Sequence, residues 1–253
     1  MSIRKYIPNT ITSLNLLSGC FATIYAMGGN FKFAFYCIIL SAIFDFLDGF
    51  AARLLKAYSP MGKELDSLAD MVSFGLAPAM MMFTCSKIIV ETKLGILHEA
   101  SFMQQGGRNI LIFAPLTIAV FSGLRLAKFN IDTRQSENFI GLATPSCALI
   151  CGSLLYAMEI YPTIAVFLFN YPYTIPMISI FLSYLLISEF PMFSFKFKSL
   201  SIKDNLQRFV FIAIIACLGI ICLILGLNWS LWVLSIFLIY IIMNFILLFA
   251  RQK

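Results

Sequence analysis

The chain has 253 residues, of which 60% are hydrophobic, 15% aromatic and only 12% charged, with a formal net charge of +6. Soluble domains carry about twice that share of charge, so the composition and a mean hydropathy of +0.91 exclude a soluble globular enzyme, a disordered chain and a disulfide scaffold. An all-α, polytopic integral membrane protein is expected.

The chain opens with Arg4 and Lys5 ahead of a run ending Leu17-Ser18-Gly19-Cys20. That outline resembles a lipoprotein signal, but Pro8, Asn9, Thr10, Thr12, Ser13 and Asn15 interrupt its apolar part and the pattern continues past Cys20. An interfacial amphipathic segment leading into a first span fits better, with Asn9, Thr12 and Asn15 on one side. Hydropathy then predicts spans at 10–28, 32–55, 66–88, 109–128, 142–159, 173–190, 208–226 and 229–250, each near the length a bilayer needs. The stretch 160–172, flanked by Tyr161-Pro162 and Tyr171-Pro172, is too short to cross and is expected to be an interfacial loop. One membrane domain covers 1–253, with a part at 1–141 that holds the chemistry-bearing residues and further spans at 142–253.

Eight spans place both termini on one side. Fourteen of the 18 basic residues then share that side: Arg4, Lys5, Arg53, Lys56, Lys63, Arg125, Lys128, Arg134, Lys196, Lys198, Lys203, Arg208, Arg251 and Lys253. Lys32, Lys87, Lys93 and Arg108 lie opposite. Basic residues favour the cytoplasmic face, so both termini are expected in the cytoplasm of a bacterial cell, with the protein in its inner membrane. The seven cysteines sit in apolar runs without metal-binding spacing and read as small packing residues. His98, the single histidine, falls in a polar connection.

Four of the 12 acidic residues stand where a membrane helix tolerates them least: Asp45, Asp48, Asp66 and Asp70. A carboxylate at mid-membrane costs about 3 kcal/mol or more and marks a functional site by default. Asp45 and Asp48 are i and i+3, and Asp66 and Asp70 are i and i+4, so each pair shares one helix face. Gly49, Ala52 and Arg53 share the first face, and Gly62, Ser73 and Ala77 the second; small residues let helices approach closely. A ten-residue connection around Ser59-Pro60 is expected to fold the two spans into a hairpin with the acids converging. Four converged carboxylates need cations, and all-oxygen ligation selects Mg²⁺, Mn²⁺ or Ca²⁺. Two such ions would suit displacement at phosphorus. Rival readings are helix-end acids salt-bridged to Arg53, Lys56 and Lys63, and an ion path through a cation transporter.

Written out, Asp45-x-x-Asp48-Gly49-x-x-Ala52-Arg53-x8-Gly62-x-x-x-Asp66-x-x-x-Asp70 resembles the signature of the CDP-alcohol phosphotransferases at every fixed position. The resemblance implies two divalent cations, Mg²⁺ or Mn²⁺, on Asp45, Asp48, Asp66 and Asp70, with Asp70 also the general base. It implies room for nucleotide and diphosphate at Gly49, Ala52 and Gly62, a phosphate contact at Arg53, and a homodimer. Asn9, Thr12 and Asn15, on one side of the first helix, join the nucleotide candidates, and the run Arg4 to Gly19 resembles the serine-accepting branch of that family. So do Ser122-Gly-Leu-Arg125-Leu-Ala-Lys128-Phe-Asn130 and Phe139-Ile-Gly-Leu-Ala-Thr-Pro145, although Ala143 stands where proline is commoner. The implied substrates are CDP-diacylglycerol and L-serine, among membrane lipids and without nucleic acid. Glycerol 3-phosphate, inositol phosphate or a phospholipid are the alternative acceptors. Arg125, Lys128 and Arg134 are the candidates for binding the acceptor's anion or a phosphate. Lys196, Lys198, Lys203 and Arg208 read as a headgroup anchor.

Overall fold

The computed structural model describes residues 6–94, 110–132, 139–193 and 205–251. It is helical almost throughout. The first helix, α1 (Tyr6–Met27), takes in the expected interfacial segment and the first span without a break, because Pro8 sits in its first turn, where no amide is needed. A short turn through Gly28 and Gly29 leads to α2 (Phe31–Leu54). Its N-terminus is capped twice. The Asn30 side chain accepts the Phe33 amide, and Glu159, from far along the chain, accepts the Phe31 and Lys32 amides at 2.7 and 3.2 Å.

Residues 55–59 connect α2 to α3 (Pro60–Asp70), half the length expected. The polypeptide can turn so tightly because Ser59 caps α3 through the Gly62 amide and Pro60 starts it. A π-helical turn, Met71–Leu76, follows and runs into α4 (Ala77–Leu94). Together these form one continuous crossing over Pro60–Lys93, about 50 Å at 1.5 Å per residue and longer than the bilayer core.

A 3₁₀ segment, Ile110–Leu116, leads into α5 (Thr117–Ile131). Helix α6 (Thr144–Ile160) is the most deeply buried, with Cys147, Ala148, Cys151 and Gly152 on its interior side. A side chain at Gly152 would collide with the Phe35 ring, so α2 and α6 lie in direct contact. Residues 162–170 are not the loop expected; they form a short helix, α7 (Pro162–Asn170), bent by 108° from α6. Tyr161-Pro162 breaks the helix, and a proline at the first position then nucleates the next one. Helix α8 (Thr174–Ile187) has 14 residues, and α9 (Leu206–Ile224) and α10 (Trp229–Arg251) form the last pair.

Each of the eight expected spans therefore has a helical counterpart. Six are long and apolar enough to cross on their own, a seventh counts if α6 and α7 are one broken span, and α8 is shorter. A two-residue antiparallel ladder, β1 (Phe139–Ile140) with β2 (Pro191–Met192), ties the end of the α5–α6 connection to the segment after α8. Gly141 follows β1 at φ +74, with backbone oxygens of Leu186 and Ser188 in the space a side chain would need.

Helix α1 lies between α2 on one side and α3, the π turn and α4 on the other, while α6 joins α2, α4 and α10. Phe35 and Tyr36 of α2, Tyr156 of α6 and Trp229 of α10 stack at one end of that joint. The cysteines are all free; Cys85, Cys147 and Cys151 pack inside as expected, whereas Cys20 and Cys217 are exposed on the outer surface. His98 lies outside the described residues.

Candidate active site

The two helix faces that carry the acids meet. Asp45, Asp48 and Asp66 each present an oxygen to a group whose ligand atoms all lie within 4.8 Å of one another. The convergence needs α1, which wedges between the two helices rather than leaving them as a bare hairpin. Asp48 is 6% exposed, and Asp48 Oδ2 and Asp66 Oδ1 are buried without a hydrogen-bond partner. Among the described residues, no Lys or Arg forms an ion pair with any of the four aspartates, which removes the salt-bridge reading. Buried, unpaired carboxylate oxygens at this spacing fit a hard divalent cation, which would satisfy the lone pairs and offset the repulsion.

Asp70 stands apart from that trio. It lies one turn beyond Asp66, and its Oδ1 accepts a hydrogen bond from Asn15 Nδ2 at 3.3 Å. Asn15 is fully buried on α1, and its carbonyl accepts two hydroxyls, from Ser41 of α2 at 3.2 Å and Ser73 of the π turn at 3.0 Å. The three segments that surround the acids are thus pinned to one residue of α1. The π turn starts directly after Asp70; such turns occur often at functional sites, because the extra residue re-aims the side chains around it. Gly19 makes the approach possible, since a Cβ there would stand 2.8 Å from Ser73 Cα.

A cavity of about 530 Å³ opens beside the acids, with Asp48 and Asp66 in its wall. Asn9 and Thr12 of α1, Gly49 and Ala52 of α2, and Gly62 of α3 line it too. A Cβ at Gly49 would meet only Arg53 Nη1, at 3.7 Å, so packing within the protein does not demand the glycine. At Gly62 it does: a Cβ would stand 2.9 Å from Asn9 Oδ1 and 3.0 Å from Ser59 Oγ. Arg53 is exposed and lies outside the cavity lining. Asn15 does not line it either, and serves Asp70 instead.

The acceptor candidates separate from one another. Arg125 is 8% exposed on α5, its Nε has no hydrogen-bond partner, and it interacts electrostatically with Asp70. Its guanidinium also lies over the Phe129 ring at 5.8 Å. Lys128 pairs with Glu189 at 3.2 Å on the surface, which ties α5 to the segment just after α8. Arg134, Lys196, Lys198 and Lys203 lie outside the described residues, and Arg208 sits in the first turn of α9.

Several contacts at the site were not legible from sequence. Ser41, and Ser73 of the Asp66 face, both bond to the Asn15 carbonyl. Lys63 lines the cavity and donates to the Asn130 carbonyl at 3.3 Å, while Asn130 Nδ2 donates to Ser67 at 2.8 Å. Ser122, one turn before Arg125, and Thr144, at the start of α6, are buried with hydroxyls that have no partner. Both stand in the runs that resemble the serine-accepting branch, and that resemblance is the signal that pointed there.

The profile of the CDP-alcohol phosphatidyltransferases matches residues 5–185. The chain belongs to this family. As a CDP-alcohol phosphatidyltransferase it carries all four aspartates, Asn15 and Arg125 within the matched region, while α9 and α10 lie beyond it. It is similar to a CDP-diacylglycerol–serine O-phosphatidyltransferase of Bacillus subtilis, 37% identical over 141 residues, which cover 56% of this chain and 70% of that protein. A protein of the same name from Helicobacter pylori J99 is 32% identical over 56% of this chain and 54% of its own length. An archaetidylserine synthase from Methanothermobacter thermautotrophicus is 32% identical over 58% of this chain and 56% of its own. Against the last two, the aligned part is about half of the relative.

Proposed function

We propose that this family member transfers a phosphatidyl group from CDP-diacylglycerol to the hydroxyl of L-serine, giving phosphatidylserine and CMP. The observation that carries the reading is the group of Asp45, Asp48 and Asp66 on the wall of a nucleotide-sized cavity, with Asp70 and a buried arginine behind it. The names of the serine-transferring relatives support the choice of acceptor.

Asp45, Asp48, Asp66 and Asp70 would hold two divalent cations, Mg²⁺ or Mn²⁺. When bound, these supply charge stabilisation to the diphosphate and to departing CMP. Asp48 and Asp66 bring their oxygens to the cavity from two helices, so the diphosphate is oriented between α2 and α3. Gly49 leaves the α2 wall open to it, and Asn9 and Thr12 face it from α1. Asp70, held at one oxygen by Asn15, keeps its other oxygen to accept the proton of the serine hydroxyl. The oxygen then attacks the lipid-linked phosphorus, the bond to the bridging oxygen breaks, and CMP leaves with that oxygen. We assign serine's carboxylate to Arg125, because a nine-tenths buried arginine with an unpaired Nε calls for an anion. Acyl chains remain in lipid, nucleotide and serine enter from the cytoplasm, and the protein works as a homodimer in the inner membrane.

Membranes holding the protein, supplied with CDP-diacylglycerol, should release CMP in a serine-dependent way. Labelled serine should enter lipid while labelled glycerol 3-phosphate does not. Transfer to glycerol 3-phosphate in preference to serine would overturn the acceptor assignment, and no CMP release with any acceptor would overturn the transferase reading.

A further inference from the structure

The α2–α3 connection carries a side chain that neither the signature nor the mechanism uses. Tyr58 lines the same cavity as Asp48 and Asp66 and is 71% exposed. Among the described residues it makes no hydrogen bond or ring contact, whereas Phe46, Tyr36, Tyr156 and Phe193 all have aromatic partners.

Its backbone, by contrast, is held from both sides. The Ala57 amide bonds back to the Ala52 carbonyl at 3.0 Å and Ala57 is buried, so the chain is closed against the end of α2. That closure requires Lys56 at φ +50, a left-handed conformation taken here by a residue with a side chain. On the other side Ser59 is committed to capping α3. Tyr58 is the single residue between these anchors. An aromatic ring without a partner, on a short and doubly anchored connection, stands at a cavity whose other lining residues include no aromatic ring.

We propose that Tyr58 is a donor-positioning residue that stacks on the cytosine ring of the CDP moiety. The proposal rests on the donor reading above and extends it from the diphosphate to the base. The acids fix the diphosphate at one part of the cavity. The nucleoside then lies along the Gly49 and Ala52 side of α2, where the absence of bulk leaves room for a flat ring. Tyr58 closes that space from the connection. Base–aromatic stacking strengthens binding by about tenfold or more per ring, and the left-handed turn at Lys56 keeps the ring in place before the ligand arrives.

A tyrosine at this depth could instead anchor the connection in the headgroup region, and the two roles separate with a water-soluble ligand. The purified full-length protein in detergent, with Mn²⁺, is titrated with CDP and with inorganic pyrophosphate. Tyr58→Leu keeps the apolar anchor and removes the ring; Tyr58→Phe keeps the ring. Tyr58→Leu should weaken CDP binding about tenfold or more and leave pyrophosphate binding within about twofold, while Tyr58→Phe binds CDP like the unmodified protein. Unchanged CDP affinity in Tyr58→Leu, or an equal loss for CDP and pyrophosphate, overturns stacking. So does a raised KM for CDP-diacylglycerol with unchanged CDP affinity, which assigns Tyr58 to the lipid surface. Failure of the unmodified protein to bind CDP with Mn²⁺ overturns the donor reading itself, and is seen before any variant is compared.

Discussion

Asp70 and the other three aspartates share a motif but not an environment. Asp45, Asp48 and Asp66 point oxygens at one another, whereas Asp70 has one oxygen occupied by Asn15 and a buried Arg125 in electrostatic reach. A carboxylate that only ligates metal can lose a charge and be partly replaced by its neighbours. A carboxylate that also removes a proton cannot, since an amide has no basic oxygen at working pH. Asp70→Asn should therefore lower serine-dependent CMP release by about a thousandfold or more, in line with the loss of a general base and a ligand together. Titration of the purified variant with CDP and Mn²⁺ should still show binding, because Asp45, Asp48 and Asp66 remain. Turnover within about tenfold of the unmodified protein would sink the assignment of the base. Asp70 was legible in the sequence as one of four acids, because i, i+4 spacing fixes a shared helix face. Its role as general base came only through the family resemblance, and its bond to Asn15 was not legible at all, since Asn15 lies 55 residues away and only packing brings the two together.

Among the elements, α1 does the work that sequence alone assigns to a hairpin of α2 and α3. Its interior side is a column of small and polar residues, Thr12, Asn15, Ser18, Gly19 and Ala22. Ser18 donates to the Cys37 carbonyl of α2 at 2.8 Å, while Gly19 abuts the π turn. In lipid, where apolar burial does not drive helices together, such close contacts and interhelical hydrogen bonds are what hold them. Gly19→Ala pushes a methyl group into Ser73, and backbone cannot yield as a flexible side-chain tip can. Overpacking of this kind costs about 1–3 kcal/mol, and it displaces the Ser73 hydroxyl from Asn15 and hence Asn15 from Asp70. The variant should melt several degrees lower and lose most of its activity. Gly28→Ala, where the new methyl meets helix backbone at 3.5 Å, should change neither. Equal behaviour of the two variants would show that α1 is an anchor and not a wedge. The helices themselves were legible from hydropathy, and Tyr161-Pro162 marked a break. The direction of the α6–α7 bend was not, because it depends on what each helix packs against. The Lys128–Glu189 pair was not legible for the same kind of reason: the two stand 61 residues apart.

Over the whole molecule, the path through the membrane turns on α8. Fourteen residues span about 21 Å, short of the bilayer's roughly 30 Å apolar core, so length alone would leave α8 on one side. The contacts at its ends argue otherwise. Before α8, Lys93 at the end of α4 donates to the Asn170 carbonyl at 2.9 Å. After it, Glu189 pairs with Lys128 at the far end of α5, and Pro191 pairs with Ile140. Helix α8 therefore runs from the end of the bundle where α4 finishes to the end where α5 finishes. The charge pattern agrees. With α8 crossing, the basic residues divide 14 to 4; with α8 confined to one side, Lys196, Lys198, Lys203, Arg208, Arg251 and Lys253 change sides and the division becomes 8 to 10, which would leave orientation unspecified. A fluorescent protein that matures only in the cytoplasm, fused after Lys253, should be bright in cells. Alkaline phosphatase, active only outside, should be inactive at the same position and active when inserted between Gly226 and Leu227. The opposite pattern at the C-terminus would mean an odd number of crossings and would remove α8 from the spans. Because the phosphatase insertion at 226 reports the α9–α10 pair alone, the two fusions together show whether a discrepancy arises at α8 or after it.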